Sequence, residues 1–474
     1  MRVDRILVAI TADIYVRNYL RTDALSALFD NHRVDLIADE SLALSHEVAE
    51  HPRFAGFYRT DATLDRRHHL LFSLIMWRNR KKSPTFAYRW MRNSGWDSVS
   101  AEKGALRRAK AFLKWLPGGL VSPLGIRILV LGNALIFPLV KKLLLARLPV
   151  NQSLSSAVKA KDYDLLVFPS AAFDSVSVDL ARLGKTRKIK TLCLIDNWDN
   201  LTSKTSFWAK PDHLGVWGEQ AAQQAERIHG FSRERVHAVG TPRFDSYFIA
   251  RDQPDLDAIY SFPYILFVGS AMPFDEIGAL RKLEQALERL SPQFAKLKVV
   301  YRPHPWQQKR RSPSSFHEED FSRTLLDRQI AEAYAAGIKP ERTETRFQPE
   351  LDYYPRLFQG ASVVVGPLTT MLFEGALALK PIVGLAYDDG HHANTSRRYF
   401  SHFDGVETIP GFLLCEDESH LEAKVVKSLS LGPIDAQLSD DATSFFLHHH
   451  PSGYPQALGS LISGIGNTVA VSSG

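Results

Sequence analysis

The residues best suited to chemistry lie where two apolar runs stop. Val299-Val300-Tyr301 leads into Arg302-Pro303-His304-Pro305, and Val363-Val364-Val365-Gly366-Pro367-Leu368 leads into Thr369-Thr370, with Glu374 a turn further on. An apolar, β-branched run that ends at turn-making or helix-starting residues has the pattern of a buried parallel strand. In open α/β sheets ligands bind at the carboxyl ends of such strands. Arg302 has the fork geometry to grip phosphate oxygens. His304 can donate to a phosphate and stabilise charge developing on a leaving diphosphate. Thr369 or Thr370 is a natural helix cap, and a helix start offers N–H groups and partial positive charge to phosphate. Glu374 could fold back to a ribose hydroxyl. Together the two segments suit a nucleotide diphosphate.

Four further segments carry chemistry-bearing side chains. Gly269-Ser270 follows the run Tyr264 to Val268 and fits a close backbone approach to a ligand. Ile195 is followed by Asp196-Asn197-Trp198-Asp199-Asn200-Leu201-Thr202-Ser203-Lys204, which packs carboxylates, amides, an indole and an amine into one loop. Here Asp196 or Asp199 is a candidate general base for an acceptor hydroxyl. Trp198 could offer a ring face to a sugar, with Asn200 and Lys204 beside it. Gly240-Thr241-Pro242-Arg243-Phe244-Asp245 precedes a break in the pattern, where Arg243 reads as hinge or phosphate contact. Tyr387-Asp388-Asp389-Gly390-His391-His392 ends another strand, with Asp389 among the acceptor-side candidates. Clustered Asp and His without further ligands does not make a metal site, so no metal is expected.

The elements that must position these residues alternate. Ile6 to Ile10 reads as a strand (not a signal peptide), Asn18 to Phe29 as a helix and Val34 to Ala38 as a second strand. From Asp164 to Val239, and again from Tyr264 to Ala386, strands alternate with helices, which implies doubly wound parallel sheets. The expected organisation is a first domain over 1–245 with an insertion at about 65–150, a linker over 246–262, a second domain over 263–435, and a tail over 436–474 containing a helix that crosses back to the first domain. The length of 474 residues requires more than one core.

Hydrophobic content of 45% and charged content of 23% are those of a globular protein, and two widely spaced cysteines suit a reducing, cytoplasmic compartment. The formal charge of +6 is unevenly placed. Arg78-Asn79-Arg80-Lys81-Lys82, Arg107-Arg108 and Lys141-Lys142 fall in the insertion, interleaved with Trp77, Trp90, Trp96 and Trp115. That mixture favours an anionic membrane surface, whereas no nucleic-acid motif accompanies it. Ile128 to Val140 is too short to span a bilayer and reads as one buried or interfacial helix interrupted at Pro138.

As an ordered set, the His304-Pro305 loop, the Thr369-Thr370 helix start with Glu374, and Gly240 to Asp245 resemble the GT-B glycosyltransferase superfamily. The closer likeness is to bacterial surface-polysaccharide glycosyltransferases and CDP-glycerol glycerophosphotransferases. The resemblance spans about 160–430 and does not include the insertion. It implies a GT-B-like α/β fold of two tandem Rossmann-like domains facing an interdomain cleft. It also implies a nucleotide-activated sugar as co-substrate on the second domain, a lipid-linked or glycan acceptor on the first, and metal-independent transfer with no cofactor. His304 would sit at the donor phosphates, with Thr369 and Thr370 nearby. The alternatives are a glycerophosphotransferase, a nucleotide-sugar 2-epimerase, or a catalytically silent, membrane-associated assembly protein.

Overall fold

The computed structural model describes residues 3–42, 44, 53–61, 66–96, 99, 102, 104–119, 121–172, 174–253, 258–290, 294–304, 316–336, 350–390 and 396–471. The chain forms two compact units, Met1–Arg243 with Phe445–Gly474, and Phe244–Ser444.

In the first unit the strands are β1 (Arg5–Ile10), β2 (Arg33–Asp39), β3 (Phe54–Thr60), β4 (Leu165–Pro169), β5 (Lys190–Leu194), β6 (His213–Val216) and β7 (Val236–Ala238). They pair in the order β3-β2-β1-β4-β5-β6-β7, every pair parallel. Alternate side chains feed two cores on opposite faces. Ile6, Val8 and Ile10 pack with Leu28, Leu36, Tyr454, Leu458 and Ile462, whereas Leu7 and Ala9 pack with Leu154, Val176, Leu180 and Leu214. Burial on both faces is why these strands read as unbroken apolar runs. The last helix, Tyr454–Val471, belongs to this unit and supplies part of the first core.

The second unit contains β8 (Tyr264–Val268), β9 (Lys298–Arg302), β10 (Thr324–Leu326), β11 (Ala361–Pro367), β12 (Ile382–Leu385) and β13 (Phe412–Cys415). Their order is β10-β9-β8-β11-β12-β13, again all parallel. In both sheets the first strand of the unit lies in the middle and the order runs outward in two directions. This is the doubly wound arrangement, with a switch point between β1 and β4 in one unit and between β8 and β11 in the other.

Several local expectations are corrected. The first helix is not continuous from Asn18 to Phe29. A short helix Asp13–Tyr15 runs into a π-turn Val16–Leu20, and a second helix spans Ser26–Asn31. The segment 246–262 is not simply a linker, because it contains most of the helix Asp245–Arg251, and the second unit extends to Ser444. Ile128 to Val140 is two elements: one helix, Pro123–Leu131, ends at Gly132, and the next, Phe137–Arg147, begins with Pro138 in its first turn. Proline starts that helix instead of interrupting it, since the missing N–H costs nothing there.

Candidate functional site

At the carboxyl edge of the second sheet, β9, β8 and β11 are neighbours, so the loops that follow them lie side by side. Val268 stands opposite Arg302, and Phe267 opposite Val365. Two glycines allow the close approach. A Cβ on Gly366 would lie 2.2 Å from the Val268 carbonyl oxygen, and one on Gly269 would lie 2.8 Å from the His304 backbone nitrogen. Gly269 thus makes room for the protein's own Pro303-His304 backbone, where ligand approach had been expected. His304 is half-buried beside it. Across the switch point, Thr369 takes the N-cap position of the helix Thr370–Leu377 with extended backbone (φ −138°, ψ 153°). Its hydroxyl makes no capping bond, and both threonines are half-buried. The loop carrying His304 and the uncapped helix start therefore lie on either side of Gly269, and a helix start is a place where phosphate can bind.

Glu276, which sequence reasoning passed over, ties this edge together. Its buried carboxylate accepts the Ser270 N–H (2.8 Å) on one oxygen and the Tyr301 hydroxyl (2.6 Å) on the other. Asp275 caps the same helix by accepting the Gly278 N–H at 2.9 Å, and its own N–H donates to Asp389 at 2.8 Å. Ser270 is buried, with its Oγ accepting the Met272 N–H at 3.0 Å. Asp389 and Ser270 thus shape the loop after β8. His391, His392 and Pro305 lie outside the described residues.

Arg302 and Glu374 are placed differently from the sequence expectation. Arg302 ends β9 and is buried, its Nη2 donating to the Tyr354 hydroxyl at 2.6 Å. Burial opposes its charge, but Tyr354, Asp327 and Glu374 outweigh that and hold the guanidinium above its ordinary pKa. Glu374 is 1% exposed and accepts the Tyr247 hydroxyl. Asp327, fully buried, accepts from Tyr353 at 2.7 Å and Tyr260 at 3.2 Å. Arg302 and Glu374 both belong to a buried charged cluster, because a strand's side chains alternate and a helix's inner face turns to the sheet.

In the first unit, the loop after β5 is sealed more tightly than expected. Asp196 is fully buried, accepting from Asn18 Nδ2 at 3.0 Å and Asn197 Nδ2 at 3.1 Å. Burial raises its pKa, opposed by Asn18, Arg243, Lys204 and Arg17. Trp198 is 2% exposed, donates to Gln220 Oε1 at 2.8 Å and meets Phe446 edge-on, so it has no ring face left for a sugar. Asn200 is fully buried, and both polar atoms of its amide lack a hydrogen-bond partner. Asp199, by contrast, keeps 33% of its side chain exposed, accepts from Ser203 Oγ at 2.7 Å and lies 3.8 Å from Lys204 Nζ. Of the two carboxylates it is the one that meets solvent.

The switch point of this sheet adds residues that local sequence reading missed. Ala172, just after β4, holds φ 54°, a strained value for a residue with a Cβ. The Ala171 N–H donates to the Tyr15 hydroxyl at 3.2 Å, while the Ala171 and Ala172 carbonyls accept from Thr205 Oγ1 (2.8 Å) and the Ser206 N–H (3.2 Å). Strand order alone could have pointed to them, since they follow β4 at the place where that order reverses.

His229 anchors the helix Asn200–Ser203 from below through a bond between Nε2 and the Leu201 carbonyl at 2.7 Å, packed against Phe86 and Phe207. Burial lowers its pKa from 6.5 to about 4. The unfolded chain therefore takes up this proton first, so stability present above pH 6.5 is lost as pH falls towards 4. Linkage puts the loss at about 2–3 kcal/mol. Denaturant titrations at pH 7, 5.5 and 4.5 should show this slope in the wild type and a flatter one in His229→Gln, which keeps a donor but does not titrate. Equal slopes would remove His229 as the cause.

Among the described residues, no group of three or more His, Cys, Asp or Glu could hold a metal ion, and no helix is long and apolar enough to cross a membrane.

No protein-family model matches the chain, and no curated protein does. Solved structures do. The UDP-GlcNAc 2-epimerase from Methanocaldococcus jannaschii is similar at TM-score 0.50 and 11% identity, covering 96% of this chain and 99% of its own. Arabidopsis thaliana UGT89C1, solved with UDP-L-rhamnose, has TM-score 0.48 and 11% identity over 98% and 99%. MurG from Acinetobacter baumannii has TM-score 0.40 and 12% identity over 97% and 99%. The likeness is one of fold: two Rossmann-like α/β units of the GT-B type.

Proposed function

We propose that the chain is a glycosyltransferase that moves a sugar from a nucleotide-activated donor to a lipid-linked or polysaccharide acceptor in surface-polysaccharide synthesis. One observation carries this reading: β9-β8-β11 adjacency brings His304 and the uncapped start of the helix Thr370–Leu377 to either side of Gly269 at the switch point. In the proposed reaction the acceptor hydroxyl gives its proton to a general base, and the acceptor oxygen bonds to the anomeric carbon. The bond from that carbon to the phosphate oxygen breaks, and the nucleotide leaves with its new charge facing His304 and the helix start. Within the first unit Asp199 is the candidate for such a base, being the more exposed carboxylate, and Asp196 beneath the same loop is tied to Asn18 and Asn197. Arg302 and Glu374 hold the sheet edge in shape from within.

The test is thermal unfolding with UDP-, GDP-, CMP- and CDP-linked sugars in turn. A donor at a hundredfold excess over its Kd stabilises by about 2.7 kcal/mol, and a Thr369→Val/Thr370→Val double variant should lose most of that shift. No shift with any nucleotide or nucleotide sugar would overturn the reading in favour of a silent assembly protein. Nucleotide-sugar epimerisation is the second reading, being the activity named for the M. jannaschii protein of the same fold. It needs no acceptor, so conversion of the nucleotide sugar alone would decide for it.

A further inference from the structure

The helices Ala105–Trp115, Pro123–Leu131 and Phe137–Arg147 contain no buried residue, although each is rich in leucine, isoleucine or valine. Leu135 is 91% exposed, Leu106 73%, Leu113 65% and Leu139 60%. Monomeric proteins seldom leave so many large apolar side chains in water along one stretch of chain. The last helix is packed on one side only: Phe137, Leu144 and Leu145 lie against Leu71, Ile75 and Trp208, while Leu139 and Leu143 face outward. Leu106 and Leu113, seven residues apart, share one helix face.

The charge of this stretch says what covers it. From Gly104 to Lys161 there is no aspartate or glutamate, whereas Arg107, Arg108, Lys114, Arg127, Lys142 and Arg147 accompany the exposed leucines. A second copy of the chain docking through the same patch would set these cations against each other, since a two-fold interface is self-complementary. An anionic bilayer meets both features, taking the leucines into its acyl boundary and the cations at its headgroups. Helices of 9 to 11 residues are too short to cross the hydrocarbon, so they lie in the interface.

We propose that the helices Ala105–Trp115, Pro123–Leu131 and Phe137–Arg147 form a docking surface for an anionic lipid bilayer, seated in its headgroup region. This does not depend on the donor chemistry, because bilayer binding is read without turnover.

The full-length protein is sedimented with phosphatidylcholine vesicles, with and without phosphatidylglycerol, at low and at high salt. Binding to the mixed vesicles at low salt should exceed that to neutral vesicles by about tenfold and fall as salt rises. Leu135→Asp/Leu139→Asp changes two exposed side chains, so the fold should be kept, as a circular dichroism spectrum and an unchanged melting temperature would verify. This variant should lose at least about tenfold in bound fraction. Arg107→Glu/Arg108→Glu should lose the preference for anionic lipid. The proposal is overturned if the wild type fails to sediment with anionic vesicles, or if the folded variants bind as well as the wild type. A dimer in solution that the Leu135→Asp/Leu139→Asp variant dissociates would instead make this face a contact between copies.

Discussion

Replacing His304 by alanine should lower kcat/KM for the proposed sugar transfer by about 10²- to 10³-fold, the loss expected when one preorganised donor to a developing negative charge is removed. His304 follows β9 directly, its backbone nitrogen packed against Gly269, and it faces the same edge as the helix that starts at Thr370. Charge building on the leaving phosphate would meet both the imidazole and the helix start. The side chain is half-buried and ends no core cluster, so the variant should fold, and its melting temperature should lie within a few degrees of the wild type. His304→Gln, which keeps a donor at similar reach, should recover part of the rate. Transfer by His304→Ala at the wild-type rate, with the fold verified, would exclude His304 from the reaction.

The largest stability effect is expected at Glu276. Its carboxylate is the buried acceptor for both the Ser270 N–H and the Tyr301 hydroxyl, one on the loop after β8 and the other on β9. Glu276→Ala removes the carboxylate that accepts from two buried donors at once and should destabilise the second unit by about 3 kcal/mol. Glu276→Gln offers one acceptor oxygen where the carboxylate offers two, so its cost should be smaller. Denaturant unfolding followed by fluorescence gives the comparison. Because Glu276 holds the backbone against which Gly269 and His304 are set, Glu276→Gln should also weaken nucleotide-dependent stabilisation. A wild-type midpoint in Glu276→Ala would show that water or a neighbouring group satisfies those donors, and would remove Glu276 from the positioning of the site.

The contrast between Glu276 and Glu374 explains what local reading can and cannot recover. Both carboxylates stand at or just inside helix starts that follow buried strands, and from spacing Glu374 looked the better ligand-binding group. Its position within the helix turns it towards Tyr247, more than a hundred residues away in sequence. Trp198 shows the same effect: a tryptophan in a polar loop suggests a sugar platform, yet the ring is closed off by Gln220 and Phe446, the latter supplied by the C-terminal segment. Asp196 and Asp199 are indistinguishable by type and nearly by position, and burial alone separates them.

The doubly wound α/β class, most of the strands and the strand-end loops are legible in the chain alone, because apolar runs, turn residues and helix caps are local signals set by the backbone's own periodicities. β3, β10 and β13 escaped notice, being short or edge strands whose half-exposed pattern lacks a long apolar run. The order of strands, and with it which loops are neighbours and which of their side chains meet solvent, emerges only in the packed fold. Strand order is fixed by contacts between residues far apart in the chain, so the loops of His304, Gly269 and Thr369 become neighbours only once β9, β8 and β11 lie side by side.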